Sequence, residues 1–245
     1  MKRLVIVPAK NEGKSIRKTL EQLVGEDVVV CDGGSKDSTK RIAKRMGVKV
    51  LECKSGYGKV ILEGMRYGLA EGYEQFVVID CESHTFSEIV PFLDCGADVI
   101  AGQRHDEKKP LHRKIITQVG RKMKPEGAKT EIVDISNGFR AYSRRFVERI
   151  LAIKDVENIP SYTFNSIVAF YSDGYDVVQF PMSYIGGKSG LTLLELMKAW
   201  TFRATYEMEK PPLPPVHATT EDIQAYLRLM YGPQLEEFVR RRHND

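Results

Sequence analysis

Apolar residues fall in the first hundred positions as short unbroken runs, each followed by a polar segment and then by apolar residues at helical spacing. Leu4 to Val7 is the first run. It closes in Pro8-Ala-Lys-Asn-Glu-Gly13, after which Ser15 is placed to cap a helix carrying Ile16, Leu20 and Leu23 on one face. Asp27 to Cys31 is the second run, ending in Asp32-Gly-Gly-Ser-Lys-Asp-Ser-Thr39 ahead of a basic helix with Ile42, Ala43 and Met46. Val48 to Cys53 leads through Lys54-Ser-Gly56-Tyr-Gly58-Lys59 into a helix with Ile61, Leu62, Met65 and Leu69. Phe76 to Ile79 then breaks abruptly into Asp80-Cys-Glu82-Ser-His84, a helix follows around Ser87 to Leu93, and Ala97 to Ala101 delivers Gly102-Gln-Arg104. Runs that are continuous rather than alternating belong to strands covered on both faces. The pattern predicts an α/β fold, a mostly parallel sheet flanked by helices, with a ligand crevice beyond the strand carboxyl ends.

Past Arg104 the character changes. Arg104, Lys108, Lys109, Arg113, Lys114, Arg121, Lys122 and Lys124 crowd a short segment that holds only Asp106 and Glu107 as acids. In a helix beginning near Leu111, Ile115, Ile116, Val119 and Met123 face inward and leave Arg113, Lys114, Arg121 and Lys122 for anions or solvent. Glu131 to Ile135 reads as a strand and Ser136-Asn-Gly-Phe-Arg140 as a turn with hydroxyl and amide donors. Residues 145 to 152 and 163 to 171 read as helices, and Asp176 to Tyr184 as a further strand. Leu193, Met197, Trp200 and Ala204 then mark an amphipathic helix, suited to docking on the domain or lying on a membrane. Pro211-Pro-Leu-Pro-Pro215 is a stiff linker before a helical tail. The predicted divisions are a domain over 1–188, the amphipathic helix over 189–210, and linker and tail over 211–245.

Composition narrows the class. The chain has 245 residues, is 42% hydrophobic, and carries 37 basic against 33 acidic residues. A net charge of +4 makes no case for binding nucleic acid over the whole surface, so any anionic partner is held locally. The four cysteines, Cys31, Cys53, Cys81 and Cys95, have no metal or redox spacing and read as reduced. The first apolar run is too short for a signal-peptide core, and no stretch reaches the roughly 18 residues of a span. These features predict a cytoplasmic protein, one able to associate peripherally with the cytoplasmic membrane face.

The candidate chemistry begins at the end of the fourth strand. Asp80 and Glu82, two apart on one side of an extended backbone, can approach a single hard cation such as Mg²⁺ or Mn²⁺. Such a cation fills its remaining positions with water and substrate phosphates, which points to a phosphate-bearing substrate. Acidic residues after a buried strand are also ordinary loop chemistry. Asp32 offers acceptors to ribose or base donors beside glycines that admit a ligand, and Lys59 can reach a phosphate.

Taken together, Val7-Pro-Ala-Lys-Asn-Glu12, Asp32-Gly-Gly-Ser-Lys-Asp-Ser-Thr39, Gly58-Lys59, Asp80-x-Glu82 and Gly102-x-Arg104 resemble the ordered motifs of family 2 glycosyltransferases with the GT-A (Rossmann-like) fold. Leu111-His-Arg-Lys-Ile-Ile116, Asp134-Ile-Ser-Asn-Gly-Phe-Arg-Ala-Tyr142 and Gly187-Lys-Ser-Gly-Leu191 narrow the likeness to dolichyl-phosphate (polyprenyl-phosphate) mannose synthases. The resemblance implies that Pro8, Ala9, Asn11, Glu12, Asp32, Gly34, Lys59 and Arg104 bind the nucleotide. It implies further that Asp80 and Glu82 bind metal, and that Arg113, Lys114, Ser136, Asn137, Arg140 and Lys188 meet the acceptor phosphate. Asp80, Glu82 and Arg113 are the expected catalytic residues.

The departures are specific. The usual Asp-Ala-Asp is here Asp80-Cys81-Glu82, so His84 either replaces the family's third ligand or stands as its following histidine. Val133 stands where an arginine is common, a later arginine is missing near Tyr184 with Lys188 as a substitute, and a family glutamate falls near Ile167. The expected reaction is inverting transfer of a hexose, mannose or glucose, from a nucleotide sugar of the GDP-mannose or UDP-glucose type to polyprenyl (dolichyl) phosphate. Two alternatives stand beside it: transfer to a soluble phosphorylated acceptor such as phosphoglycerate, and a non-catalytic protein that binds a nucleotide sugar.

Overall fold

A computed structural model describes residues 1–81, 84–104, 130–153, 155–159 and 164–183. Its centre is a seven-stranded sheet. The strands are β1 (Arg3–Ala9), β2 (Asp27–Asp32), β3 (Lys49–Glu52), β4 (Gln75–Val78), β5 (Val99–Arg104), β6 (Arg140–Ser143) and β7 (Val177–Met182), in the spatial order β3-β2-β1-β4-β6-β5-β7. β1 pairs parallel with β2 on one side and β4 on the other, and β5 pairs parallel with β7. β6 alone runs against its neighbours, opposing Val78 with Arg140 and Ala101 with Arg140. The chain steps from β1 outward to β3 and then returns across β1 to β4, so the strand order reverses at β1, where such sheets open a crevice for ligands.

The continuous apolar runs are explained by two separate cores. Leu4 and Ile6 of β1 face one cluster with Phe76, Val78 and the inner faces of α3 (Tyr57–Ala70), α4 (Arg144–Leu151) and α5 (Phe164–Phe170). Val5, Val7 and Ala9 face the other, with α1 (Ile16–Glu21), α2 (Thr39–Arg45) and the turns around Phe86 and Leu93. Helix α3 lies close against β1 because its glycines remove side chains there. A Cβ on Gly64 would stand 2.7 Å from Ile6, and one on Gly68 would stand 2.4 Å from the Phe76 ring.

Several boundaries differ from the sequence reading, each for a local reason. Residues 131–135 form no strand, since their backbone is satisfied by side chains. Ile132 N–H donates to Thr130 Oγ1 and Val133 N–H to Gln179 Oε1. The strand is Arg140–Ser143 instead, inside and beyond the stretch read as a turn. The helix expected over 87–93 is two short 3-10 turns, Phe86–Glu88 and Val90–Phe92, because Pro91 has no N–H to continue one. Ser15 does not cap α1; its hydroxyl donates to the Glu12 carboxylate. The basic segment with Arg113 and Lys114, Glu82, Lys188, and the calls over 189–245 lie outside the described residues.

The fit of α3 to the sheet gives a sign that helix propensity alone would reverse. Gly68→Ala should lower stability by about 1–3 kcal/mol through overpacking against Phe76 and Leu4, although alanine is the better helix former. Urea denaturation checks it; a stabilised variant would show that the helix can lift freely from the sheet.

Candidate active site

The first two loops at the carboxyl edge are fastened to each other. Gly33 N–H donates to Ala9 O at 2.9 Å, Asn11 N–H to Ser35 Oγ at 2.8 Å, and Lys36 N–H to Asn11 Oδ1 at 2.9 Å. Glu12 N–H donates to Thr39 Oγ1 and Gly13 N–H to Asp37 Oδ2. Asn11 takes a positive φ of 58° to make this join. A hydrogen bond from the Thr39 hydroxyl, the largest cause, holds the Asp37 carboxyl below its ordinary range, so this tie is charged at neutral pH and loosens only in acid. Within the joined loops Asp32 is buried. Its Oδ2 accepts from Gly34 N–H and Ser35 N–H, while its Oδ1 has no partner among the described residues. A buried carboxylate oxygen left over in this way is an acceptor suited to an N–H or O–H of a ligand. Pro8, Ala9, Asn11, Glu12, Asp32 and Gly34 are thereby brought together, and Lys59 stands half-buried in the first turn of α3.

Asp80 follows β4 at the same edge. Tyr57 Oη donates to its Oδ1 at 3.0 Å, and its Oδ2 faces Nε2 of His84 at 3.8 Å. Burial first, and then the charge of Asp80, push the Tyr57 phenol well above its ordinary pKa, so it remains a protonated donor. His84 is 5% exposed, and its ring stacks on Phe139 at 4.9 Å and 9°. Two donors on one octahedral divalent cation at about 2.1 Å stand roughly 3.0 Å apart when adjacent and roughly 4.2 Å when opposite, so the Asp80 and His84 pair, at 3.8 Å, is near enough to share one ion after a small closure. The ring Nδ1 has no partner among the described residues, which departs from the usual hydrogen-bonded metal histidine. No group of three metal-ligating side chains occurs among the described residues.

The third part of the edge lies at the end of β5. Arg104 grips Asp134 through two parallel bonds, Nε to Oδ2 at 2.6 Å and Nη2 to Oδ1 at 2.8 Å, and Nη2 also reaches Ser136 Oγ at 2.8 Å. Arg104, expected with the nucleotide residues, thus stands with Ser136 of the expected acceptor group. Two other residues expected in that group lie deeper. Asn137 is 1% exposed and its amide donates inward to Gly102 O, while Arg140 is fully buried and donates to the carbonyls of Asn165, Asp134 and Ile135. Both bond to the backbone beneath the loop and hold it up from there.

Sequence reasoning passed over Tyr57, Asn165 and Phe139. An aromatic residue held between Gly56 and Gly58 at a helix start was the available signal for Tyr57; nothing in the sequence singles out Asn165.

The profile of the family described as Glycosyl transferase family 2 matches residues 4–151. The chain belongs to this family and is a glycosyltransferase of the GT-A-like fold. Among its relatives is the polyprenol monophosphomannose synthase of Mycolicibacterium smegmatis, 28% identical over 218 residues that cover 77% of this chain and 79% of that protein. The undecaprenyl-phosphate mannosyltransferase of Micrococcus luteus is 30% identical over 211 residues, covering 78% and 86%. Among solved structures, the glucosyl-3-phosphoglycerate synthase of Mycobacterium tuberculosis in complex with Mn²⁺, UDP-glucose and phosphoglyceric acid superposes with a TM-score of 0.63 at 16% identity, over 86% of this chain and 81% of that one. That likeness shows the fold.

The buried position of Arg140 makes it a support for the loop. Arg140→Met should lower stability by about 1–3 kcal/mol by leaving buried carbonyls without donors. Denaturation alongside acceptor kinetics checks this, and an unchanged stability with a raised acceptor KM would return Arg140 to the phosphate.

Proposed function

We propose that this glycosyltransferase moves a hexose, with inversion, from a nucleotide sugar to a polyprenyl phosphate. The observation that carries the reading is the meeting, at one sheet edge, of a buried acceptor for a nucleoside (Asp32), a carboxylate for a cation (Asp80) and an arginine–serine pair (Arg104 with Ser136). The named activities of relatives at 28% and 30% identity support a polyprenyl phosphate as acceptor. A phosphate oxygen of the acceptor attacks the anomeric carbon, the bond to the diphosphate oxygen breaks, and nucleoside diphosphate leaves. The acceptor is already anionic at neutral pH, so no side chain has to remove a proton, and the work of the site is placement and charge.

Asp32, Gly34 and the joined loops hold the nucleoside. Asp80, with His84 and Glu82 beside it in sequence, is the set that would hold Mg²⁺ or Mn²⁺; when bound, the ion neutralises the departing diphosphate. Ser136, steered by Arg104, together with Arg113, Lys114 and Lys188 of the basic segments, orients the acceptor phosphate. The apolar positions Leu193, Met197 and Trp200, with Lys198 and Arg203 near them, suit a reversible hold on an anionic membrane surface. Among the described residues no helix is long and apolar enough to cross a membrane. Transfer to phosphoglycerate is the second reading, favoured only by a fold likeness at 16% identity.

A screen of GDP-mannose and UDP-glucose, each with polyprenyl phosphate and with phosphoglycerate in the presence of Mn²⁺, tests the assignment. Label should enter the lipid product, chelation should stop it, and Asp80→Ala should abolish transfer while melting near the wild-type temperature. Wild-type turnover by Asp80→Ala with metal chelated would falsify the metal site. In flotation with anionic liposomes the protein should rise with the vesicles. A protein that never floats and glycosylates only phosphoglycerate would establish the second reading in place of the first.

A further inference from the structure

We infer that Tyr57 is a positioning residue for the cation-binding carboxylate, an assignment that rests on the metal-dependent transfer proposed above. Its ring packs against the core beneath α3, which any apolar side chain of similar size could do. Its hydroxyl has a separate task. It donates to Asp80 Oδ1 at 3.0 Å and accepts from Asn165 Nδ2 at 3.5 Å. A phenol has one proton to give, and the amide presents a donor from the other side, so the hydroxyl is turned toward the carboxylate. With Oδ1 engaged, Asp80 keeps Oδ2 on the side of His84, whose Nε2 is 3.8 Å away. The hydrogen bond thereby fixes the orientation in which the carboxylate is offered to a cation.

Gly138 ties the same group to the acceptor side. A Cβ at 138 would stand 2.2 Å from the Tyr57 hydroxyl and 3.0 Å from both Asp80 Oδ2 and Asn165 Nδ2. The turn that carries Ser136 thus rests directly on the Tyr57–Asp80–Asn165 trio, with only a hydrogen at position 138 between them. Through Tyr57, the carboxylate that faces the leaving diphosphate and the loop that faces the acceptor are set against one another.

The test is a titration of Mn²⁺ into the full chain in the presence of UDP and, in a parallel series, GDP, with free Mn²⁺ followed by electron paramagnetic resonance. Partners that fix the orientation of a metal ligand typically carry 10–100-fold in metal affinity, so Tyr57→Phe should bind Mn²⁺ about tenfold or more weakly. Nucleotide affinity without metal should stay at the wild-type value. Gly138→Ala, which displaces the hydroxyl, should give a similar loss, and the double variant no more than the larger single loss. If Tyr57→Phe does not fold, Asn165→Ala, which removes the group that turns the hydroxyl, is expected to show the same selective loss. Wild-type Mn²⁺ affinity in Tyr57→Phe, with affinity lost in Asp80→Asn, would remove the role of Tyr57 and leave the metal site standing. Wild-type affinity in Asp80→Asn as well would remove both. An equal fall in metal-free nucleotide affinity would make Tyr57 a general support of the fold and overturn the assignment.

Discussion

Because β6 pairs antiparallel with both β4 and β5, the chain enters it at the end of the sheet where those two strands stop. The loop that precedes it, residues 134–139, is therefore held above Asp80 on one side and Arg104 on the other. A parallel strand here would deliver that loop to the opposite edge. The register is pinned by Arg140, which opposes Val78 and sends its guanidinium beneath the loop to the carbonyls of Asp134, Ile135 and Asn165. A slip by one residue would turn Arg140 toward the other face and lift Gly138 away from Tyr57. The buried arginine that looks like a phosphate ligand in the sequence is in this way a condition for the site.

The parallel half of the fold was legible because its strands are buried on both faces and so appear as unbroken apolar runs with turn chemistry at their ends. β1 through β4 lie within a residue or two of the runs that predict them. β6 was hidden for a physical reason: Arg140-Ala-Tyr-Ser143 contains a fully buried charge, and the preceding Ser-Asn-Gly reads as a turn. Asp32 and Asp80 could be picked out since each directly follows such a run. Arg104 and Ser136 were recognised separately, but their mutual bond is a product of the β5–β6 pairing and leaves no trace in local sequence. Tyr57 and Asn165 are far apart in the chain and meet only because α3 and α5 pack on the same face.

Two anionic substrates have to approach each other in the proposed transfer, so the charge along the edge matters. The loops after β1, β2 and β3 carry the exposed lysines Lys10, Lys36 and Lys54, and Lys59 is half-buried beside them. Toward β5 the balance differs: Asp80 is a carboxylate, and the charge of Arg104 is already compensated by Asp134. A divalent cation at Asp80 and the basic run between Lys108 and Lys124 are the further positive sources the sequence supplies for the diphosphate and the acceptor phosphate. The neutral parts of the site, Ser136, Tyr57 and the joined loops, then fix geometry, while the lysines, the cation and the basic segment supply the field.

In the proposed transfer the cation at Asp80 and the acceptor phosphate near Ser136 share one site. Phosphorus relaxation tests it most directly, using a short, water-soluble polyprenyl phosphate with the full chain, a nucleoside diphosphate and Mn²⁺. Bound Mn²⁺ should sharply broaden the acceptor's phosphorus resonance when protein and nucleotide are both present, and Asp80→Asn should restore the narrow line. A phosphorus line no broader with the protein than with Mn²⁺ and nucleotide alone, under conditions where the acceptor is bound, would contradict it.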